Sequence, residues 1–369
     1  MNPKGEVMSY ICSVGTSIPK HNISQEEVKE LVQNVFSYTN REVKRLLPVF
    51  DHARIENRQF VVDKTWFEEE HTFAEKNNIY QENAIHYSLE AIDDCLQNEH
   101  FLTNSIPYEA VDLIIYVSSS GLSTPTIDAF LLNERPFRED VQRMPLWGLG
   151  CAGGAIGLSR AHDWVKAHPE KTALVICCEF CGVTFQKGDH RKSNLVGTAL
   201  FGDGVSAALL VGKESPYLAN KRQAVPKVIG ISSRTKRDST DVMGWNVTNH
   251  GLEVIFSKSI PSLVESFWKE HVEHFFQQFQ MEKEAIYAYL AHPGGIKVLQ
   301  AMEGVLEAEK EKLKHSYNVL RNHGNMSSVT VLYVLKEWMK EAIKPKEKVI
   351  LSALGPGFSS EILLMEWSE

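Results

Sequence analysis

Three residues have types and settings that could do chemistry. Cys151 lies within Leu146-Trp-Gly-Leu-Gly-Cys-Ala-Gly-Gly-Ala155, just before an apolar-periodic stretch through Leu158, Ala161 and Val165. Glycines on both sides allow a sharp strand-to-helix turn and a close approach by substrate. A thiol at a helix N-terminus feels the positive end of the macrodipole, which predicts a lowered pKa and a nucleophile suited to thioester exchange. The plainer alternative is a buried cysteine in a glycine-rich packing turn. His292 lies in Tyr289-Leu-Ala-His-Pro-Gly-Gly295, where a strand runs into a Pro-Gly turn. Open α/β folds place reactive groups at such strand ends. A hydrogen-bonded turn histidine would share that context, and the chain has 14 histidines. Asn325, in His323-Gly-Asn-Met-Ser-Ser328, precedes a helix expected over Val329–Met339, where an N-cap is the ordinary use of Asn.

The elements that must position them read as α/β, because apolar β-branched runs alternate with helical patterns. The clearest strands start at Leu113, Ala173, Ala207, Ile286 and Val349, short and near-continuously apolar like buried parallel strands. Two halves of the chain share one spacing. Cys151 lies 38 residues after Leu113, and Asn325 lies 39 after Ile286; Val175 and Val349 each follow their reactive residue by 24. This predicts a structural duplication with Cys151 and Asn325 at equivalent helix starts, sharing one site. The polar stretch from Lys213 to Pro226 is the best boundary, which divides the chain into residues 1–220 with the Cys and 221–369 with the His and Asn.

Composition removes several classes. The 369 residues are long enough for about two domains and a large core. A net charge of −8 argues against a nucleic-acid partner. The opening MNPKGEVMSY is charged and lacks an apolar core, and no apolar run nears the ~18–20 residues that cross a bilayer. We therefore expect a cytoplasmic chain with reduced thiols and no membrane span. Cys178-Glu-Phe-Cys181 has CxxC spacing, but structural zinc wants four ligands, so no metal is expected. Leu200-Phe-Gly-Asp-Gly204 and Leu354-Gly-Pro-Gly-Phe358 could bring backbone close to a bound chain, or could be only tight turns. Neither matches a phosphate-cradling pattern.

Taken in order, Gly150-Cys-Ala-Gly-Gly154, Leu200-Phe-Gly-Asp-Gly204, Ala291-His-Pro-Gly-Gly295, Gly324-Asn-Met-Ser-Ser328 and Gly355-Pro-Gly357 resemble the chalcone-synthase-like type III polyketide synthases. The resemblance runs from about Ser9 to the C-terminus. It implies a thiolase-like fold, two related α/β halves in a layered αβαβα arrangement, forming a homodimer. It implies acyl-CoA and malonyl-CoA as substrates and no cofactor beyond those thioesters. Cys151 matches the nucleophile that carries the acyl chain. His292 and Asn325 match the pair that drives malonyl-CoA decarboxylation, and His292 the residue that keeps Cys151 as thiolate. Phe201 matches an aromatic gatekeeper, Thr184 a cavity-lining position, and Thr124 a loop residue that reaches the partner's cavity. The substrate wall departs from the plant pattern at Val254 and at Ala353-Leu354. Of the basic CoA-binding positions, Arg45 matches one and His52 falls at another; Arg54 and Arg58 are alternatives or solvated surface charges. Met243-Gly-Trp-Asn246 resembles the bacterial branch, which points to fatty starters and alkylpyrones. Two rivals remain: a ketoacyl-ACP synthase of fatty-acid initiation, with the same fold and Cys-His-Asn chemistry, and a catalytically silent homologue acting as a partner protein. His292-Pro-Gly-Gly295 disfavours the first, and the presence of all three reactive residues disfavours the second.

Overall fold

The computed structural model describes residues 8–35, 45 and 47–368. The apolar runs form strands, as expected: β4 (Leu113–Ser118), β6 (Thr172–Phe180) and β7 (Asp203–Gly212) are buried along their whole length. With β1 (Ser9–Ser17) and β5 (Gln142–Trp147) they make the first half-sheet, in the order β5-β4-β6-β7-β1. Strand β4 runs parallel to β5 and β6, whereas β7 is antiparallel to β6 and β1. The second half uses β8 (Pro226–Thr235), β11 (Ile286–Ala291), β12 (Lys348–Gly355) and β13 (Ser359–Trp367) in the order β11-β12-β13-β8. Its parallel β11–β12 pair and antiparallel β12–β13 and β13–β8 pairs repeat β4–β6, β6–β7 and β7–β1. The halves are therefore duplicates in topology, and only Ser9↔Val228 and Tyr10↔Lys227 pair β1 with β8 to join them edge to edge.

Helices Gly153–Ala167 and Thr330–Met339 form the layer between the half-sheets. The second buries eight of its ten residues, so it is apolar all round rather than along one stripe. That pattern suits a helix pressed between two sheets. The two helices cross closely: a Cβ on Gly154 would sit 2.2 Å from the Ser328 carbonyl oxygen. Outer helices complete the five layers. Phe73–Gln97, started by a capping box between Thr72 and Glu75, covers the first half-sheet with Tyr80, Ala84 and Ala91. Lys269–Gln278 and Ile296–Leu306 cover the second, where Phe275 and Met302 share a core with Ile350 and Leu364. This is the α/β thiolase-like arrangement that the motifs implied. Two small two-stranded sheets lie outside the main sheet: β2 (His21–Ser24) with β3 (Asn57–Phe60), and the hairpin of β9 (Met243–Thr248) with β10 (Gly251–Phe256). No helix among the described residues is long and apolar enough to cross a membrane.

Candidate active site

Cys151 and His292 sit where a strand gives way to a turn, and Asn325 follows the helix Lys314–His323 and its Gly324 cap. Cys151 occupies a single 3₁₀ turn, Gly150–Ala152, which runs directly into the helix that starts at Gly153. Gly148 (φ 84°) and Gly150 (φ 47°) take left-handed backbone that a side chain would strain, which is how the chain turns sharply there. The Gly150 N–H donates to Ser119 Oγ at 2.9 Å. The Gly-Pro-Gly loop closes over the same turn, since a Cβ on Gly355 would lie 2.6 Å from both Ala152 Cβ and the Leu149 oxygen.

Asn325 comes from the other half and reaches the same place. Its N–H donates to Leu200 O at 2.8 Å, and its carbonyl accepts from Gly202 N–H at 3.0 Å. Its side-chain Oδ1 accepts from Ser327 N–H at 2.8 Å. Nδ2 donates to Gly294 O at 3.2 Å and lies 3.8 Å from Cys151 Sγ. Capping and chemistry are thus compatible: the capping bond fixes the amide so that its NH₂ faces the thiol and the His292 turn. His292 ends β11, with its own N–H on Ser352 O at 2.8 Å. Its ring is 2 % exposed, and neither ring nitrogen has a hydrogen-bond partner among the described residues. An unsatisfied buried imidazole facing the turn that contacts Asn325 is a group held ready for a ligand.

The electrostatics correct one expectation. Burial pushes the Cys151 thiol up to about 11, with opposing help from Ser327 and Asn325, and pushes His292 down to about 3. Cys151 keeps some surface open to the cavity, but protein surrounds the sulfur, and that sets the cost of charging it. A rise of two pKa units is about 3 kcal/mol, more than the ~0.3–2 kcal/mol a helix end returns. Both shifts favour the neutral thiol and the neutral imidazole over a macrodipole-stabilised thiolate. Iodoacetamide alkylation of Cys151 is expected to climb steadily between about pH 6 and about pH 10. A plateau already reached at pH 7 would reveal a preformed thiolate–imidazolium pair instead.

Beneath the site lies a buried acid the sequence reading passed over. Glu179, fully enclosed on β6, accepts from Ser119 N–H at 3.0 Å and from Ser328 Oγ at 2.8 Å. Burial pushes its carboxyl up to about 7, and its charge adds to the cost of a thiolate at Cys151. A lone Glu in an otherwise apolar strand was the available signal.

Two cavities open on either side of the Leu200-Phe201 segment that pairs with Asn325, and none of Cys151, His292 and Asn325 is among the residues that line them. One, of about 560 Å³, is lined by Leu200, Gly294 and Gly295 at its inner end and by Arg45, His52 and Lys192 farther out. Lys258 and Lys297 join them, and no motif had pointed to these three lysines. Lys297 was findable, being the second residue after the Gly-Gly turn at a helix start. The other cavity is apolar, about 40 Å³ in volume, and lined by Thr184, Phe201, Val254 and Trp245 together with Phe67 and Leu31. Leu200 and Phe201 are chain neighbours that face opposite cavities. The Phe201 and Trp245 rings lie 5.9 Å apart. Leu354 is 4 % exposed within the core of the second half and is not among the residues that line the two cavities. Its place on β12, paired with Ser360, turns it into that core. Thr124 is exposed on the loop before Pro125 and faces no cavity of its own chain. Arg54 is exposed at the rim of a separate groove, while Arg58 is wholly buried and is no surface charge. Cys178 and Cys181 are buried free thiols, and no cluster of three or more His, Cys, Asp or Glu among the described residues could hold a metal.

Comparison with known proteins agrees with the two-half architecture. The family model described as chalcone and stilbene synthases, N-terminal domain, matches residues 2–215, and its C-terminal counterpart matches 233–367. A Bacillus subtilis (strain 168) protein named "Putative chalcone synthase" is 45% identical over 363 residues, covering 98% of this chain and 100% of the relative. The 1,3,6,8-tetrahydroxynaphthalene synthase of Streptomyces peucetius subsp. caesius is 29% identical, covering 97% and 93%. The crystal structure of 1,3,6,8-tetrahydroxynaphthalene synthase from Streptomyces coelicolor A3(2), a bacterial type III polyketide synthase, superposes with a TM-score of 0.88 at 25% identity, over 98% of this chain and 99% of that one. This chain belongs to the chalcone and stilbene synthase family, the type III polyketide synthases, which are CoA-dependent decarboxylative condensing enzymes.

Proposed function

We propose that Cys151 accepts an acyl group from an acyl-CoA starter and that His292 and Asn325 then drive its extension with malonyl-CoA. One observation carries this reading: Cys151 Sγ and the Asn325 amide meet, 3.8 Å apart, beside the Leu200-Phe201 segment, which lines a cation-lined mouth on one side and an apolar pocket on the other. The mouth suits the phosphates of CoA, with Arg45 and His52 joined by Lys192, Lys258 and Lys297. In loading, neutral His292 takes the thiol proton as sulfur attacks the thioester, and CoA leaves as its thiol. In decarboxylation, the bond from the malonyl methylene to its carboxylate breaks and CO₂ departs. The electron pair remains as a thioester enolate, whose oxygen is held by the Asn325 NH₂ and by the N–H of neutral His292, which has passed the thiol proton on to the departing CoA. The enolate carbon attacks the Cys151 thioester, the C–S bond breaks, and the extended chain leaves on CoA to be reloaded. Phe201 keeps water and the malonyl carboxylate apart, which favours loss of CO₂. The half with residues 1–220 supplies the nucleophile and the half with 221–369 the two donors.

For the product, the reading is a medium- or long-chain fatty acyl starter, two or three extensions, and release as an alkylpyrone. Support comes from the wall of Leu31, Phe67, Val254 and Trp245, where each buried CH₂ gains ~0.8 kcal/mol. Lactone closure needs only the chain's own enol oxygen to reach the thioester. A second reading, a short starter, is favoured by the cavity's 40 Å³, far below the ~300–1,000 Å³ of pockets that enclose larger ligands. A long chain therefore needs Trp245 to swing away. The test is kcat/KM across acetyl-, hexanoyl-, lauroyl-, palmitoyl- and coumaroyl-CoA, with product analysis. We expect lauroyl or palmitoyl to lead, and Trp245→Ala to raise the lauroyl-to-acetyl ratio by ~10-fold or more, the scale of a bulky group removed from an apolar pocket. A steady fall from acetyl to lauroyl in the unsubstituted enzyme would select the short-starter reading. A homodimer is part of the proposal: β5 is an open edge strand, Trp147 at its end is 50% exposed, and the exposed Thr124 loop lies next to it.

A further inference from the structure

Arg58, on β3, is 0% exposed, and its partners are carbonyl oxygens rather than carboxylates. Nη1 donates to Thr198 O at 2.5 Å and to Phe201 O at 2.8 Å, and Nη2 donates to Gln25 Oε1 at 2.6 Å. Gln25 opens the helix Gln25–Val35, which supplies Leu31 to the apolar pocket, and its Nε2 donates to Ala199 O at 3.0 Å. The stem of Arg58 is placed as tightly as its head. A Cβ on Gly324 would lie 2.7 Å from Arg58 Cδ, and one on Gly202 would lie 3.4 Å from Arg58 Cβ.

Backbone geometry explains why a cation is needed there. Phe201 is extended (φ −77°, ψ 142°), so successive peptide groups point to opposite sides. On one side, Leu200 O and Gly202 N–H exchange hydrogen bonds with Asn325. On the other, the Phe201 carbonyl faces the protein interior, where an unmet acceptor is costly. Only the Arg58 guanidinium meets it among the described residues. The gate segment is thus held from both sides, by Asn325 on one and Arg58 on the other. Gly324 has no room for a side chain because the arginine stem and the Leu200 carbonyl lie beneath it, whereas at Gly202 the close neighbour is the His323 carbonyl oxygen, 2.5 Å from a built Cβ.

We propose that Arg58 is a positioning residue that couples the Phe201 gate to the Asn325 amide, fixing through the backbone where that amide points. It touches neither substrate nor the reacting atoms. The inference rests on the condensing-enzyme reading for its kinetic arm and not for its structural one. Arg58→Lys keeps the charge and the stem but offers one nitrogen in place of a planar pair, so it cannot hold Phe201, Thr198 and Gln25 together. Arg58→Met removes the donors entirely and serves as the second variant; Arg58→Lys is decisive where Arg58→Met does not fold.

The structural arm is amide hydrogen exchange. In Arg58→Lys, residues 200–203 and 324–326 are expected to exchange ~10-fold faster, with the sheet strands unchanged. The kinetic arm measures two half-reactions on the same protein. Malonyl-CoA decarboxylation should fall ~10-fold, while acylation of Cys151, read by intact mass, stays within about twofold. Unchanged exchange in both segments would overturn the proposal. So would faster exchange spread across the whole molecule, or loading and decarboxylation falling together, each of which marks a merely structural arginine. A wild-type protein that neither loads nor decarboxylates would instead remove the condensing-enzyme reading and leave the exchange arm to decide the coupling.

Discussion

Cys151→Ala is expected to abolish acyl loading and polyketide formation while leaving the fold intact. The sulfur makes only long contacts, 3.8 Å to each side-chain atom of Asn325, and lies in a turn held by glycines and by Ser119, not by the thiol. Losing it therefore removes a nucleophile without opening a core cavity, and the melting temperature should move by no more than a few degrees. In the proposed mechanism product formation has no other route, because every extension passes through a thioester on this atom. Intact mass after incubation with an acyl-CoA checks the claim directly: one acyl adduct on the unsubstituted protein, none on the variant. An adduct that persists and maps to Cys181 or any other cysteine would defeat the assignment. Cys181 is the sharp control, since it lines the apolar pocket yet is 4 % exposed and its thiol is held well above the usual range by burial.

The second large effect separates the two donors. Asn325→Ala should lower malonyl-CoA decarboxylation by ~10²-fold or more, the scale of one lost oxyanion donor, while Cys151 still loads. The amide supplies an N–H to the enolate oxygen but takes no proton in loading. His292→Ala should lower both steps, because loading needs a base for the thiol proton and decarboxylation needs a second donor. The geometry sharpens this contrast. Asn325 is hydrogen-bonded to Ser327 and Gly294, so its truncation also frees those groups, whereas the His292 ring has no hydrogen-bond partner among the described residues to lose. Loading followed by intact mass, and decarboxylation followed as acetyl-CoA release, distinguish the two variants. Equal losses of Cys151 loading in both would count against this division of labour.

Much of the arrangement was legible before any coordinates. The near-equal intervals from Leu113 to Cys151 and from Ile286 to Asn325 announced a duplication, and the half-sheets repeat one pattern of parallel and antiparallel neighbours. Glycine context singled out Cys151, because left-handed φ at Gly148 and Gly150 is a local demand that residue type records. The turn after His292 was likewise written in Pro293-Gly-Gly295.

What escaped the sequence was everything decided by burial and by long-range approach. The pKa of Cys151 was misread because a helix start is visible locally, whereas desolvation depends on what the rest of the chain packs around the sulfur. Arg58 resembled a surface charge for the same reason: residue type does not report how deeply a side chain lies. The three lysines at the mouth come from segments around 192, 258 and 297, and only folding gathers them. By itself, then, the sequence determined the chemistry available, the duplicated α/β plan and the turns that expose the reactive groups, since spacing, periodicity and backbone freedom are local properties. Tertiary structure alone decided which charges are dry, how little room lies behind Phe201 and Trp245, and that a buried arginine ties the gate to Asn325. Those depend on contacts between residues far apart in the chain, and no pattern along it encodes the distance between them.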